Sequence, residues 1–364
     1  MVSSAKSLEV LPPAFTVDDE DSCLRVQPFK TSILSLFEMA RREDRPLYIA
    51  APMVRYSRLP FRLLVQRHFA VDISYTPMMI AREFKNSKFA RTAEFSTCEL
   101  DGPIIAQFGA AGSEDIVSAP EYIENFVSGV GINCGCPIKD QNQDGIGAVL
   151  MQKIDVVEDM VKSLRQRYGA KAVLEVKIRI HADLTKTVEF VRRLEQAGTN
   201  VITIHGRLHK QRSSTKPNLE AIRLVREALS KKVYVVANGD CFSLEDARRI
   251  FELTGVDGVM SARGLLENPA LFAGYESTPW KAVELFWAYA EKYGGVSKNL
   301  LYRNVQFMII EMTQNLLTKE ERQEIRTIKS WTQLTSWFDE RFVLKRWGEK
   351  GFATLEFSGY RKSL

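Results

Sequence analysis

The stretch Val127-Ser128-Gly129-Val130-Gly131-Ile132-Asn133-Cys134-Gly135-Cys136-Pro137 decides how this chain is read. Its start, Val127 to Ile132, is an apolar run of strand length. It ends in an amide, two thiols and a proline, whose fixed φ and missing N–H forbid simple continuation as a helix. Downstream, Asp144-Gly145-Ile146-Gly147-Ala148-Val149-Leu150-Met151 carries two glycines that let the backbone turn tightly before an amphipathic helix beginning near Ile154. A strand that terminates in chemically useful side chains and then loops into a helix is what a βα-barrel places at its mouth.

Outward from this stretch the same pattern recurs. Apolar runs stand at 47–50, 71–75, 104–106, 127–132, 173–176, 201–204, 233–236 and 256–260, and helical spacing fills 58–69, 156–167, 187–197, 219–228 and 244–251. Alternation of eight strands with helices predicts an α/β fold, a TIM (βα)8 barrel. An open doubly wound sheet is the alternative, but no Gly-x-Gly-x-x-Gly turn follows the first run. Residues 1–45 read as an N-terminal extension, with a flexible lead-in to about residue 28 and a helix over 29–42. The barrel is expected over 46–275. Beyond it, 276–364 reads as helices with no strand between them, a separate C-terminal domain.

With 364 residues, 45% of them apolar and 26% charged, the chain is globular rather than disordered. A net charge of +5 is compatible with a polyanionic partner but does not establish one. Cys23, Cys98, Cys134, Cys136 and Cys241 are odd in number and scattered, which favours a reducing compartment over a disulfide frame. The opening residues lack a signal-peptide core, and no run approaches the ~18 apolar residues of a spanning helix. A soluble protein of the cytosol or nucleus, with no membrane partner, is expected. Cys134-x-Cys136 has no second pair at zinc-ligand spacing, so no metal is expected.

Barrel active sites gather residues from the C-terminal ends of several strands. Nearly every apolar run here ends in such a group: Met53, Gln107, Asn133 with Cys136, Lys177 with Arg179, His205, Asn238-Gly239-Asp240 and Arg263-Gly264. Each alone has a plain structural reading, as packing, a core histidine or a turn; the convergence is what points to a site. Lys177 and Arg179 alternate along one strand and share a face, where two cations call for an anionic or polar ligand. Glycine amides and an arginine after the seventh and eighth strands suit a phosphate.

In order and spacing, Ala51-Pro52-Met53, Gln107-Phe108, Asn133-Cys134-Gly135-Cys136-Pro137, Lys177-Ile178-Arg179, His205-Gly206-Arg207, Ala237-Asn238-Gly239-Asp240 and Ala262-Arg263-Gly264 resemble the tRNA-dihydrouridine synthases. Ala51 to Ser57, Tyr75-Thr76-Pro77-Met78 and Phe272-Ala273-Gly274-Tyr275 resemble the eukaryotic class acting on D-loop positions 20a and 20b. The resemblance implies a bound FMN reduced by NADPH, and reduction of the C5=C6 bond of a tRNA uridine. It assigns Cys136 as the proton donor, with Asn133, Lys177 and Arg179 at the substrate. Cofactor contacts fall to Pro52, Met53, Gln107, Lys177, His205, Asn238, Gly239, Asp240, Ala262, Arg263 and Gly264. A monomer is expected. The alternatives are a small-molecule flavin reductase of the dihydroorotate type and a non-catalytic RNA-binding barrel. The chain departs from the family's pattern over Leu208-His209-Lys210-Gln211-Arg212-Ser213-Ser214-Thr215, so that loop's substrate contacts do not carry over. Similarity also implies that the C-terminal helices dock tRNA; Arg303, Lys319, Arg322, Arg326, Lys329, Lys345 and Arg346 are candidate phosphate contacts against the plainer reading of a charged helix surface.

Overall fold

A computed structural model describes residues 32–294, 302–354, 356 and 361. The strands are β1 Leu47–Ala50, β2 Ile73–Tyr75, β3 Met79–Ile80, β4 Ile104–Gly109, β5 Gly129–Cys134, β6 Leu174–Ile180, β7 Val201–Leu208, β8 Tyr234–Asn238 and β9 Gly258–Ser261. Every pairing between them is parallel. β1 lies between β2 and β9, and β2 also pairs with β4, which closes β1, β2 and β4–β9 into an eight-stranded barrel. The expected TIM barrel is therefore the fold. β3 is a two-residue addition paired to the end of β4, outside the ring.

Local signals explain most of the helices. Leu219–Ala228 begins after Asn218, whose side chain accepts from the Ala221 N–H at 2.9 Å. Leu184–Ala197 starts a turn earlier than its apolar spacing suggests because Asp183 caps it, and it stops at Gly198 with φ +104°. Leu244–Thr254 runs one turn past the expected end, to Gly255 at φ +61°. The sequence reading misses Ala81–Asn86, Lys88–Glu94 and Ser113–Ser118, each under two turns and too short to show a 3.6-residue period.

Two packed layers follow from strand alternation. One side chain in two joins an outer cluster shared with the helices; the others fill the barrel. Inside, Val173, Glu175 and Lys177 climb β6, Val201, Thr203 and His205 climb β7, and Tyr234, Val236 and Asn238 climb β8. Apolar residues thus give way to polar ones toward the C-terminal mouth. The opposite end is closed by the helix Ile33–Arg42, from the segment read as an extension. Its Phe37 stacks on Tyr234 at 4.6 Å, and Arg41 meets Asp257 at 2.6 Å. The expected lead-in of residues 1–28 lies outside the described residues.

After β9 the described α-helices are Arg263–Glu267, Trp280–Gly294, Tyr302–Met312, Lys319–Thr327 and Trp331–Arg341, followed by turns and one isolated antiparallel bridge between Phe342 and Arg361. Trp280–Gly294 packs along Leu59–His68, and Tyr302–Met312 packs on Arg263–Glu267, beside the mouth. Aromatic rings knit these helices together, with Trp287 4.8 Å from Trp331 and 5.3 Å from Phe338. No helix among the described residues is long and apolar enough to cross a membrane.

Candidate active site

The loop that follows β5 is built by one side chain. Asn133 Oδ1 accepts from the backbone N–H of Gly135 at 3.0 Å and of Cys136 at 2.8 Å, folding the chain back over the barrel mouth. Further on, the Ala148 N–H donates to the Cys136 carbonyl at 2.8 Å. That approach needs glycine at 147, where φ is +80° and a Cβ would stand 2.6 Å from the same carbonyl. Cys136 is half-buried, and its Sγ–H donates to Gln141 Oε1 at 2.9 Å. Burial pushes this thiol up, against the opposing pull of the Ile138 N–H, Lys177 and Arg179. Cys136 is therefore protonated at neutral pH. Cys134 points the other way, into the outer cluster, where burial and then Glu175 drive its thiol far up and leave it an inert small hydrophobe.

Strand-end side chains, hydrogen-bonded in separate groups, ring the mouth beside this loop. Asn133 Nδ2 donates to Gln107 Oε1 at 2.8 Å. Gln107 is fully buried, yet its Nε2 has no partner among the described residues. An amide donor withdrawn from water and left unpaired costs free energy unless a ligand acceptor meets it. Lys177 Nζ donates to Asn238 Oδ1 at 2.9 Å, and Asn238 Nδ2 donates to the Met260 carbonyl at 3.1 Å. Burial lowers the Lys177 ammonium, with the nearby Glu175 carboxylate opposing that fall. His205 Nε2 lies 3.1 Å from Arg207 Nη1, and because arginine only donates, the imidazole carries its proton on Nδ1. Burial first, then Lys177, Arg179, Arg207 and Arg263, hold His205 far below its ordinary range and neutral.

Beside this ring opens a cleft of about 390 Å³. Of the expected site residues it gathers Arg179, His205, Asn238, Gly239, Asp240, Ala262, Arg263 and Gly264. Asp240 bridges two cations: it pairs with the buried Arg207, and its Oδ1 takes Arg263 Nη2 at 2.7 Å. Arg263 also lies over the Phe242 ring, 5.1 Å from its centroid. Gly264 has no room for a side chain, since a Cβ would come within 2.2 Å of the Cys241 carbonyl. Pro52 and Met53 follow β1, next to Ala262 after β9. Their turn is pinned by Ser57, whose Oγ accepts from the Met53 N–H at 2.8 Å and donates to the Ala51 carbonyl at 2.9 Å.

Arg179 spans the mouth instead of standing free. Its Nε donates to the Gly135 carbonyl at 2.8 Å and its Nη1 to the Leu208 carbonyl at 2.9 Å, tying the Cys136 loop to the loop after β7. Arg207 holds the far side of that loop through the Ser213 and Thr215 carbonyls. The sequence reading quotes Arg207 in the His205-Gly206-Arg207 motif without giving it a role, and it does not single out Gln141. Arg207 was legible as the next inward position after His205; Gln141 has no sequence signal. Among the C-terminal cations, Arg322 caps the Gln314 and Leu317 carbonyls at 2.6 Å each, and Arg346 pairs with Asp339 at 2.7 Å. Arg303, Lys319, Arg326 and Lys329 are exposed.

A family profile for dihydrouridine synthases matches residues 49–361. The chain is 45% identical over 315 residues to a Saccharomyces cerevisiae protein named tRNA-dihydrouridine(20a/20b) synthase [NAD(P)+], covering 86% of this chain and 84% of the relative. A Schizosaccharomyces pombe protein of the same name is 44% identical over 88% of this chain and 94% of its own. A Homo sapiens protein named tRNA-dihydrouridine(20a/20b) synthase [NAD(P)+]-like is 36% identical, covering 81% of this chain and 90% of its own. The loop folded by Asn133, the ring of strand ends and the match across most of the sequence agree: the chain belongs to the dihydrouridine synthase family.

Proposed function

We propose that this protein is an FMN-dependent tRNA-dihydrouridine synthase of the 20a/20b type, reducing the C5=C6 bond of D-loop uridines with NADPH. The observation that carries the reading is the buried Gln107 Nε2, unpartnered at a strand end. It shares the barrel mouth with the Lys177 ammonium, a neutral histidine and a protonated thiol. These residues fit a flavin. Gln107 would donate to an acceptor on the ring, Lys177 would oppose the negative charge of the reduced form, and His205 would donate from Nδ1. Gly239, Ala262, Arg263 and Gly264 would hold the phosphate, with Asp240 orienting Arg263. The turn at Pro52-Met53 would pack against the ring.

Bound FMN supplies a hydride for C6 of the uracil. Cys136 supplies the proton for C5, and its raised pKa suits that task because only the thiol can give it. The thiolate left behind is met by the Ile138 N–H, Lys177 and Arg179, and it regains a proton from water. Asn133 sets the reach of the sulfur by fixing the loop. Arg179 has hydrogen bonds from Nε and Nη1, leaving Nη2 for a uracil carbonyl. The target base leaves its stack to enter the mouth.

The test is direct. Purified protein is expected to carry flavin absorbance that NADPH bleaches, and to convert uridine in tRNA but not free uridine. Cys136→Ala is expected to keep the flavin and to lose about 100-fold or more in single-turnover reduction of tRNA. Undiminished turnover by that variant would remove Cys136 from the chemistry, and a colourless protein would remove the flavin.

A further inference from the structure

One layer below Lys177 the barrel holds an acid that the reaction above does not use. Glu175 precedes Lys177 by two residues on β6, so its side chain faces the same interior, deeper from the mouth. It is 1% exposed, and neither carboxylate oxygen has a well-aligned hydrogen bond among the described residues. Gly131 on β5 makes room for it: a Cβ there would stand 2.5 Å from Glu175 Oε2. Tyr75 from β2 and Thr203 from β7 lie alongside, their hydroxyls 3.5 Å apart and both close enough to the carboxyl to oppose the rise that burial causes. Lys177 is the cation acting on this carboxyl.

An apolar side chain would fill this space without the desolvation cost of a carboxylate, so packing does not explain the residue. Charge does. Besides Glu175, the charged or titratable groups acting on Lys177 are the cation Arg179 and the protonated Cys136, and its hydrogen-bond partner Asn238 is neutral. A flavin ring at the mouth is neutral when oxidised and anionic when reduced. Lys177 would then have a counterion above it in one state only. Glu175 is placed to supply the missing charge in the other.

Resting on the flavin reading, we propose that Glu175 is a positioning residue that alternates with the reduced ring as counterion to Lys177, ionised in the oxidised enzyme and protonated in the reduced one. In the first half-reaction a hydride from NADPH carries two electrons and one proton to the ring, leaving one negative charge there. NADP+ departs, and Glu175 takes one proton from solvent by way of the half-buried Lys177. In the second half-reaction the hydride passes to C6 and Cys136 gives its proton to C5. Glu175 then releases its proton, and the thiolate regains one from water. The sum is NADPH, one proton and uridine giving NADP+ and dihydrouridine.

The neighbours leave this role to Glu175. Burial, and next Glu175 itself, keep the Tyr75 hydroxyl neutral; burial and the surrounding cations keep His205 neutral; burial keeps Cys136 protonated. Burial also lifts Glu175 and lowers Lys177, bringing the pair within reach of a proton exchange near neutrality.

The experiment is potentiometric titration of the FMN-loaded protein at several values between about pH 6 and 8, which counts protons taken up per electron pair. Wild type is expected to take up two protons per two electrons and E175Q one, while both retain flavin absorbance. An infrared difference spectrum, reduced minus oxidised, is expected to show a protonated carboxyl band in the wild type alone. That band tests the proposal in wild type even if E175Q does not fold. One proton per electron pair in wild type, or two in both proteins, overturns the proposal and leaves the flavin reading standing. A protein with no flavin absorbance overturns both, and is told apart by that absence.

Discussion

At the scale of single residues, the site is governed by which groups keep their protons. Cys136 is the clearest case, because burial outweighs the backbone amide and the two cations that pull its thiol down. The sign follows: with the pKa raised, the thiol fraction stays near one through neutral pH and falls only above the ordinary thiol range of about 8.5. Cys98, Cys134 and Cys241 are buried, so in a Cys23→Ser background iodoacetamide reads Cys136. Alkylation is expected to be slow at neutral pH, with a midpoint above that range, and Lys177→Met is expected to move the midpoint higher still. A midpoint below neutrality would contradict a role as acid. The strand-end positions were legible because a strand alternates with period two and its last inward side chain faces the mouth, whereas Cys136, in the loop beyond β5, was picked out over Cys134 by the family resemblance. What each side chain touches was not legible. Asn133 and Arg179 read as substrate ligands, and the structure adds what the sequence does not show: Asn133 folds the Cys136 loop and Arg179 ties it to the loop after β7.

Elements add what single residues cannot: loops are held from the barrel outward. The loop over 208–215, whose contacts the resemblance does not carry over, is fixed in this way. Arg179 and Arg207, both inward-facing near the ends of β6 and β7, donate to its backbone carbonyls. Arg207→Ala is expected to free this loop, with trypsin cutting after Lys210 or Arg212 about 10-fold faster or more while the barrel stays intact. Equal cleavage rates would show that Arg179 alone suffices. Gly147 plays the matching part on the other side of the mouth. Gly147→Ala places a side chain at φ +80° and against the Cys136 carbonyl, which is expected to cost about 1–3 kcal/mol and to lower uridine reduction by displacing the thiol. Recovery of full activity in that variant would mean that the loop tolerates the shift. The strands and long helices were legible from periodicity. Ala81–Asn86 and Lys88–Glu94 were not, because helices so short depend on tertiary packing more than on pattern.

For the molecule as a whole, the question is whether barrel and C-terminal helices stand or fall together. All five tryptophans, at 280, 287, 331, 337 and 347, lie in the helical region, so their fluorescence reports that region while circular dichroism reports both. The two share one continuous outer core, and Trp280–Gly294 lies along Leu59–His68. On the barrel side of that helix sits a buried ion pair, Arg62 with Asp101, joined at 2.6 Å and reinforced by Thr97 and the Ser57 and Ser96 carbonyls. Asp101→Ala leaves a guanidinium buried without its counterion, which is expected to cost about 3–5 kcal/mol in urea unfolding. If the molecule is one cooperative unit, tryptophan fluorescence and circular dichroism shift by the same amount, although no tryptophan is near the substituted residue in sequence. A fluorescence transition that stays put while the dichroism moves would mean that the helical region folds on its own, and that its place beside the mouth is set by docking instead of a shared core.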